Sequence, residues 1–477
     1  MGSRKVTSTV SADFQGKHVT VAGLGVSGIP AAKVLHARGA HVTVVNDGDD
    51  ARAREQAAEL EALGITVRLG DGASLPEGTE LIVTAPGWKP DKPLFTAARE
   101  AGVEIWGDVE LAWRLRGPDA APWLAITGTN GKTTTTQMLA SILKAAGLRT
   151  AAVGNIGVSV LDAVLGEEQY DVLAVELSSY QLHWAPSLRA HSAAVLNLAP
   201  DHLDWHGSME AYARDKGRVY EGNRVACVYN VADKATEDLV READVEEGCR
   251  AIGFTLGSPG PSQLGVVDGI LVDRAFVENR QKNAQELAEV SDVNPPAPHN
   301  IANALAAAAL ARAFGVPAKA VRDGLRAFTP DAHRIAHVAD VDGVAYVDDS
   351  KATNTHAAEA SLAAYESIVW IAGGLAKGAS FDELVAKSAK RLRGVVLIGA
   401  DRALIREALA RHAPEVPVVD LDRTDTGAML QAVTEAKRLA QPGDTVLLAP
   451  ACASMDMFTN YNKRGDAFAE AVRELGS

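Results

Sequence analysis

Short apolar runs alternate with amphipathic or alanine-rich stretches of helical length from one end of the chain to the other. Runs bounded by Gly, Pro or Asp read as buried strands and the stretches between them as crossover helices, so the pattern predicts an α/β fold of parallel sheets. In a first region the strand candidates are 18–22, 41–45 and 81–84, with a glycine turn and a helix to about Arg38 after the first. The stretch 114–122, rich in charge, Gly and Pro, interrupts both periodicities and marks a boundary. A second region runs through 122–126, 172–175, 193–196 and 225–228, then breaks into short strand-like pieces over 253–290 that predict a β-rich insertion. Helices over 299–314 and up to about Phe328 follow, and Thr329-Pro330-Asp331-Ala332 breaks the pattern again. The third region repeats the alternation at 344–347, 368–372, 395–398, 416–421 and 445–448. Three domains are expected, over 1–115, 116–330 and 331–477, in keeping with 477 residues being more than one core usually supports.

Composition narrows the partners. With 47% apolar and 23% charged residues the chain is an ordinary globular one, and a net charge of −14 argues against nucleic acid or an anionic membrane as a partner. Phosphate binding, where it occurs, must be local. Three cysteines, Cys227, Cys249 and Cys452, lie far apart in sequence without metal-ligand spacing, which predicts neither a disulfide framework nor a zinc site and suits a reducing cytoplasm. The segment Met1 to Val6 has no apolar core of signal-peptide length, and Val6 stands where a myristoylation pattern wants Ser or Thr. The alanine-rich stretch 301–314 is too short to span a bilayer and reads as a buried helix.

The chemistry begins at 126–136, where Gly128-Thr129-Asn130-Gly131-Lys132-Thr133-Thr134 follows a strand and opens a helix. Such a turn aims backbone N–H groups and the positive helix end at phosphate oxygens, Lys132 adds a point charge, and Thr133 offers a hydroxyl to Mg²⁺. The usual G-x-x-x-x-G-K-[ST] loop needs glycine where Ile126 stands, so this loop is a shorter G-x-x-G-K-T form. Nearer the start, Gly23-Leu24-Gly25-Val26-Ser27-Gly28 matches G-x-G-x-x-G, with Asp47 after the next strand. That pattern fits a diphosphate, or glycines that only let a helix approach a strand; an NAD-dependent redox enzyme is the weaker reading, because it leaves Lys132 unexplained. Glu176 ends a buried strand beside the loop, and a carboxylate there wants a partner such as Mg²⁺. His202, in Asp201-His202-Leu203-Asp204-Trp205-His206, is a metal or substrate candidate, while Asp204 and His206 are equally able to pack or to meet solvent. In the third region, polar groups follow three strands at 348–354, 373–378 and 450–454, which predicts a ligand site on one sheet edge. Cys452 reads as a small buried residue, since no base adjoins it.

Taken together these motifs resemble the Mur ligase family of ATP-dependent amide ligases over nearly the whole chain. The short loop at Gly128 to Thr133 is similar to that family's own phosphate loop, and Gly154-Asn155-Ile156-Gly157, Glu176-Leu177-Ser178-Ser179-Tyr180-Gln181-Leu182, Asp201-His202-Leu203-Asp204 and His299-Asn300-Ile301-Ala302-Asn303-Ala304 follow in family order. Asp349-Ser350-Lys351-Ala352-Thr353-Asn354 and Pro450-Ala451-Cys452-Ala453-Ser454 resemble the branch that adds D-glutamate to UDP-N-acetylmuramoyl-L-alanine in peptidoglycan precursor synthesis. The resemblance implies a Rossmann-like N-terminal domain, a central P-loop ATPase-like parallel sheet and a Rossmann-like C-terminal domain. It also implies ATP and Mg²⁺ as cofactors, a cytoplasmic location and a monomer.

It further implies roles for residues. Gly128 to Thr134 would hold the ATP phosphates, with Asn300 and Asn303 near adenine and Arg334, Asp349 and Lys351 completing the nucleotide site. Thr133 and Glu176 would bind one Mg²⁺, and His202 and Lys216 a second if Lys216 is carbamylated, since an ammonium would repel a metal. Lys132, His202, Lys216 and Lys351 would be the catalytic set. Val26, Ser27, Asp47 and Gly87 match positions near the uridine diphosphate, Asn155 one near the sugar-peptide, and Thr353, Lys377 and Ser454 would meet D-glutamate. Two departures stand out: no basic residue directly follows Asp47, and no aspartate precedes Lys377 within Leu375-Ala376-Lys377. A ligase for another amino acid and a non-catalytic nucleotide-binding regulator that keeps the fold remain as alternatives.

Overall fold

The computed structural model describes residues 13–330, 332–423, 425 and 427–475; the N-terminal segment Met1 to Val6 and Asp331 lie outside them. Strands β1 (His18–Ala22), β2 (His41–Asn46), β3 (Thr66–Leu69), β4 (Leu81–Thr84) and β5 (Glu104–Gly107) make an all-parallel sheet in the order β3-β2-β1-β4-β5. The central strands β1 and β4 are near-continuous apolar runs because helices cover both faces of a parallel sheet.

The second sheet holds β6 (Trp123–Thr127), β7 (Ala152–Gly154), β8 (Leu173–Glu176), β9 (Ser192–Val195), β10 (Ala226–Asn230), β11 (Arg250–Phe254), β12 (Gln263–Val267), β13 (Ile270–Asp273) and β14 (Gln285–Glu289). Its order is β14-β13-β12-β11-β10-β9-β6-β8-β7. Strands β7 to β12 run parallel, whereas β12, β13 and β14 pair antiparallel, and this end is the β-rich insertion expected over 253–290. Trp123, at the start of β6, is buried against Trp113 with ring centroids 5.0 Å apart, which ties the helix Asp108–Leu115 to the second sheet.

In the third sheet, β15 (Ala336–Val341), β16 (Val344–Asp348), β17 (Ile368–Gly373), β18 (Leu392–Ile398), β19 (Val418–Asp420) and β20 (Thr445–Leu448) stand in the order β15-β16-β20-β17-β18-β19. Only the edge strand β15 is antiparallel to its neighbour.

The chain divides into two compact units: Met1–Val293 with Ala302–Phe328, holding the first two sheets, and Asn294–Ile301 with Thr329–Ser477, holding the third. The alanine-rich stretch expected to be a buried helix is the helix Pro298–Ala313, with residues 304–311 inaccessible to solvent. Among the described residues no helix is long and apolar enough to cross a membrane. Cys227 and Cys249, distant in sequence, meet between β10 and the start of β11 with Sγ atoms 3.9 Å apart, a contact between free thiols.

One buried hydroxyl stitches the second sheet. Tyr220 Oη accepts a hydrogen bond from Val195 N at 3.1 Å and donates to Val228 O at 2.6 Å. Tyr220→Phe leaves a buried donor and a buried acceptor without this partner, so urea unfolding should show a loss of about 1–3 kcal/mol, and an unchanged midpoint would contradict this account.

Candidate active site

Strand β6 lies between β8 and β9, with Ile126 in register with both Glu176 and Ala194. The loop after β6 therefore emerges between the ends of two neighbours, and both reach toward it. Gly128 (φ +153°) could not carry a Cβ without meeting Leu196 Cβ at 3.0 Å and Leu196 N at 3.2 Å. Gly131 is left-handed (φ +82°), and a Cβ there would stand 2.4 Å from Asn303 Oδ1, so Asn303 sits against the phosphate loop. From the β9 side, Asn197 O accepts from Thr129 N at 2.9 Å, its Oδ1 accepts from Asn130 N at 2.8 Å, and its Nδ2 donates to Asn130 O at 3.0 Å. Thr129 Oγ1 also pairs with Tyr212 Oη at 2.9 Å. Asn197 and Tyr212 thus shape a loop to which the sequence reading had not assigned them.

Two lysines converge on one carbonyl. Lys132 Nζ donates to Gly128 O at 2.9 Å and Thr129 O at 2.9 Å, while Lys216 Nζ donates to Gly128 O at 2.8 Å. Lys216 is 2% exposed. Burial holds its amine well below the ordinary lysine range and the Lys132 charge adds to this, against opposing pulls from Asp201 and Glu176. Glu176, 1% exposed, accepts from Asn155 Nδ2 at 2.8 Å through Oε1, and its Oε2 is buried with no hydrogen-bond partner. An orphaned carboxylate oxygen at a phosphate loop fits a hard cation. His202 has a left-handed backbone (φ +52°), and burial, with the charges of Lys132 and Lys216, lowers its imidazole pKa, which favours the neutral form that ligates metals. Among the described residues no three His, Cys, Asp or Glu side chains gather as a metal cluster. A cation here would instead draw on Thr133, Glu176, His202, phosphate oxygens and a modified Lys216.

The residues around these groups are held by Asp215. Its Oδ2 lies 2.9 Å from His183 Nδ1 and 3.0 Å from His206 Nδ1, and Arg218 Nε stands 3.4 Å from Oδ1. Burial pushes the Asp215 carboxyl up, and the two histidine bonds with the nearby positive charges outweigh it, leaving the pKa at about 2. His206 is fully buried, with Nε2 2.9 Å from Ser179 Oγ. Of the two open alternatives, His206 therefore packs, while Asp204 is exposed and meets Lys89, whose Nζ donates to Asp204 O at 2.8 Å. Trp205 Nε1 donates to Gly87 O at 3.2 Å, so a loop of the first sheet touches the loop that carries His202.

In the first sheet, Gly23 and Gly28 serve close packing: a Cβ on Gly28 would lie 1.9 Å from Gly23 O. Gly25 faces open space and Val26 is 86% exposed. Ser27 Oγ donates to Asp108 Oδ2 at 2.9 Å instead of capping its helix. Asp47 pairs with Lys92 Nζ at 2.5 Å. A cation therefore does stand beside Asp47, supplied from a distant segment that no local motif could reveal.

In the second unit, the loops after β16, β17 and β20 lie side by side, as their strand order requires. They are bonded through Ala451 N to Ala352 O at 2.9 Å, Gly373 N to Pro450 O at 2.9 Å and Leu375 N to Ala453 O at 2.9 Å. Lys351 Nζ stands 4.1 Å from the Tyr461 ring centroid, and Thr353 N donates to Lys351 O at 2.8 Å. Lys377 is exposed in the left-handed region (φ +49°), and Ser454 is buried. Asn300 Nδ2 donates to Pro295 O at 3.3 Å. Buried Arg464, unassigned by the sequence reading, donates to Ser350 Oγ (3.0 Å), Ser350 O (2.9 Å) and Cys452 O (3.1 Å), locking two of the three loops. Cys452 is fully buried and its thiol is pushed up to about 12 by burial, so it is no nucleophile. Asp349 accepts from Ser361 Oγ and from Ile335 N, and the Arg334 charge acts on it.

Comparison with known proteins gives this geometry a family. Residues 17–107 match the model described as Mur ligase MurD-like, N-terminal domain; residues 126–311 match the Mur ligase middle domain; residues 333–452 match the Mur ligase, glutamate ligase domain. The chain belongs to the Mur ligase family. A protein of Streptomyces coelicolor named UDP-N-acetylmuramoylalanine--D-glutamate ligase is 89% identical over 468 residues, covering 98% of this chain and 99% of that protein. A protein of the same name from Thermobifida fusca is 60% identical over 465 residues, covering 97% and 99%. Among solved structures, the MurF ligase of Thermotoga maritima in complex with ADP shares the fold at a TM-score of 0.57 and 15% identity, covering 98% of this chain and 97% of that one. The UDP-N-acetylmuramate-alanine ligase MurC of Thermotoga maritima does so at 0.55 and 18%, covering 96% and 99%.

One buried carboxyl in this Mur ligase gives a signed pH dependence. Burial raises Asp349 from 3.8 to about 6. Its folded value lies above its unfolded one, so its contribution is complete below about pH 4 and is lost as pH rises through about 6. Wild-type stability relative to Asp349→Asn should fall by about 3 kcal/mol between about pH 4 and pH 7.5, read by urea unfolding, and a gap that stays constant across that range would count against the assignment.

Proposed function

We propose that this Mur ligase joins D-glutamate to UDP-N-acetylmuramoyl-L-alanine in the cytoplasm, at the expense of ATP. The observation that carries the ligase chemistry is the pair Lys132 and Lys216 on Gly128 O beside the unpartnered Glu176 Oε2. The choice of D-glutamate is supported by the names of relatives that cover the chain from end to end.

A carboxylate does not form an amide unaided, because its leaving group would be oxide. The alanyl carboxylate oxygen attacks the γ-phosphorus of ATP, ADP departs, and an acyl phosphate forms. The glutamate nitrogen then attacks the acyl carbon, phosphate leaves with the C–O bonding pair, and the nitrogen gives up its proton as the amide forms. Positioning and charge neutralisation are the protein's share of this work. Lys132, held over its own loop by Gly128 O and Thr129 O, exchanges those carbonyls for phosphate oxygens. The backbone N–H groups of 131–134, at the helix start, are proposed to face the same phosphates.

Mg²⁺, when bound, screens the phosphate charge. Thr133 and Glu176 are the residues proposed for one ion, His202 and Lys216 for the other. Lys216 takes the second role through addition of CO₂ to its amine with loss of a proton, which turns a repelling cation into an oxygen ligand. Asn155, bonded to Glu176, is the residue proposed for the sugar-peptide. Val26, Ser27, Asp47 and Gly87 are the proposed uridine diphosphate contacts, with Lys92 beside Asp47 filling the place of the missing basic neighbour. On the second unit, Asn300, Arg334, Asp349 and Lys351 are proposed for the nucleotide, and Thr353, Lys377 and Ser454 for the carboxylates of D-glutamate.

The test is phosphate release with UDP-N-acetylmuramoyl-L-alanine, ATP, Mg²⁺ and a panel of D- and L-amino acids. D-glutamate should be the accepted member, and Lys132→Ala should cut kcat by about 100-fold or more with the fold intact. Turnover with a different amino acid alone would replace the substrate, and full activity in Lys132→Ala would remove the phosphate loop from the mechanism.

A further inference from the structure

Strands β6, β9, β10 and β11 run parallel, the phosphate loop follows the last residue of β6, and Arg250 is the first residue of β11. At Arg250, on the opposite sheet edge from the phosphate loop, lies an open cavity of about 690 Å³ lined by Arg250, Arg280, Arg312, Phe276 and Glu278 with neighbours in 275–281. Its volume falls within the range of small-molecule sites.

The wall of this cavity is firmly built. Asp273, fully buried, accepts from Ala275 N at 2.7 Å and Phe276 N at 2.9 Å through Oδ1, which turns the chain out of β13. Its Oδ2 accepts from Arg312 Nε at 2.9 Å, and Arg312 also donates to Val316 O at 2.8 Å and Phe276 O at 3.3 Å. Arg274 donates to Pro259 O at 3.1 Å, Arg280 O at 3.3 Å and Gln281 O at 3.0 Å. Arg312 and Arg274 are thus consumed by the loop itself, and Asp273 balances the charge of Arg312.

Arg250 and Arg280 are in another position. Arg250 donates to Ala275 O at 2.6 Å and its guanidinium carbon stands 5.2 Å from the Phe276 ring centroid. Among the described residues neither Arg250 nor Arg280 meets a carboxylate in an ion pair, and the Glu278 carboxylate on the same rim pairs with neither. Burial depresses the Arg250 pKa, and the like charge of Arg280 adds to that, against a smaller pull from Asp273. Two guanidiniums that repel each other across a formed cavity, in a chain of net charge −14, are a local demand for an anion. The Phe276 ring and the guanidinium plane beside it offer a flat apolar surface for the rest of the ligand.

We propose that this cavity binds a phosphate-bearing small molecule of nucleotide size, its phosphate oxygens on Arg250 and Arg280 and its flat ring against Phe276. The site is separate from the substrate sites of the ligase reaction. It lies beside the end of the helix Pro298–Ala313 that carries Arg312, and Asn303 of the same helix stands against Gly131 of the phosphate loop.

Amide hydrogen exchange of segment 274–284 reads this site directly. Pyrophosphate, AMP and ADP are added at millimolar concentration to the full chain carrying Lys132→Ala, which weakens phosphate binding at the loop of β6. AMP and ADP should slow exchange in 274–284 by about fivefold or more, and pyrophosphate less. Arg280→Ser, at an exposed position that leaves the loop's own bonds in place, should abolish that protection while the unfolding midpoint stays the same. Absence of protection by any of the three probes would overturn the proposal. So would protection that survives Arg280→Ser, or protection seen in the native chain and lost in Lys132→Ala.

Discussion

The carbonyl oxygen of Gly128 accepts from two lysine side chains, and the phosphate loop depends on that arrangement. Lys132 reaches it from the helix that the loop opens, and Lys216 reaches it from a helix far along the chain. Two like charges on one acceptor repel, and inside a protein the repulsion is not screened away. Burial and the Lys132 charge together hold the Lys216 amine well below the ordinary lysine range, so the positive charge at the loop rests chiefly on Lys132. A nucleoside triphosphate is the anion that the surrounding backbone is shaped to receive.

Holding that arrangement requires supports with no chemistry of their own. Asp215 gathers His183, His206 and Arg218, so that the helix Met209–Gly217, which carries Lys216, is bound to the loop carrying His202 and to the segment following Glu176. Tyr212, one turn before Lys216, reaches Thr129 in the phosphate loop. Asn197 binds the loop from the other side. The Trp205–Gly87 bond brings a loop of the first sheet into the same network. Each of these side chains fixes the position of another, which is how a site gains precision from rigid elements instead of from loop sequence.

The fold was largely legible because parallel strands buried on both faces advertise themselves as apolar runs. β1, β4 and β20 begin and end where the pattern places them, and β16, β17 and β18 differ by a few residues at most. The strands that periodicity missed are of another kind. β3 is half exposed, β5 is four residues long with only Trp106 and Gly107 buried, β7 is only three residues long, and β15 is an antiparallel edge with scarcely any burial. Local pattern cannot flag a strand that lacks a buried face. The phosphate loop and Glu176 could be singled out because each sits at the end of a buried strand with polar or charged groups that are costly to bury. Lys92 beside Asp47 and Asp215 beneath Lys216 were not, since each acts across a gap in sequence that only the folded chain closes.

Glu176 shows what such a site costs and why it persists. A buried carboxylate oxygen with no partner forfeits about 1–3 kcal/mol or more of folding free energy, and Asn155 satisfies only the other oxygen. A stabilising remedy is chemically trivial, since any hydroxyl placed near Oε2 would donate to it. The neighbouring β-strand ends offer Gly154 and Asn155 instead, and Gly154 cannot take a side chain: a Cβ there would lie 2.3 Å from Glu176 O. The backbone of β7 thus presses closely against that of β8 at Glu176. A buried oxygen that lacks a hydrogen bond in the fold gains most from a donor or cation that reaches it, and binding of that kind stabilises the folded chain.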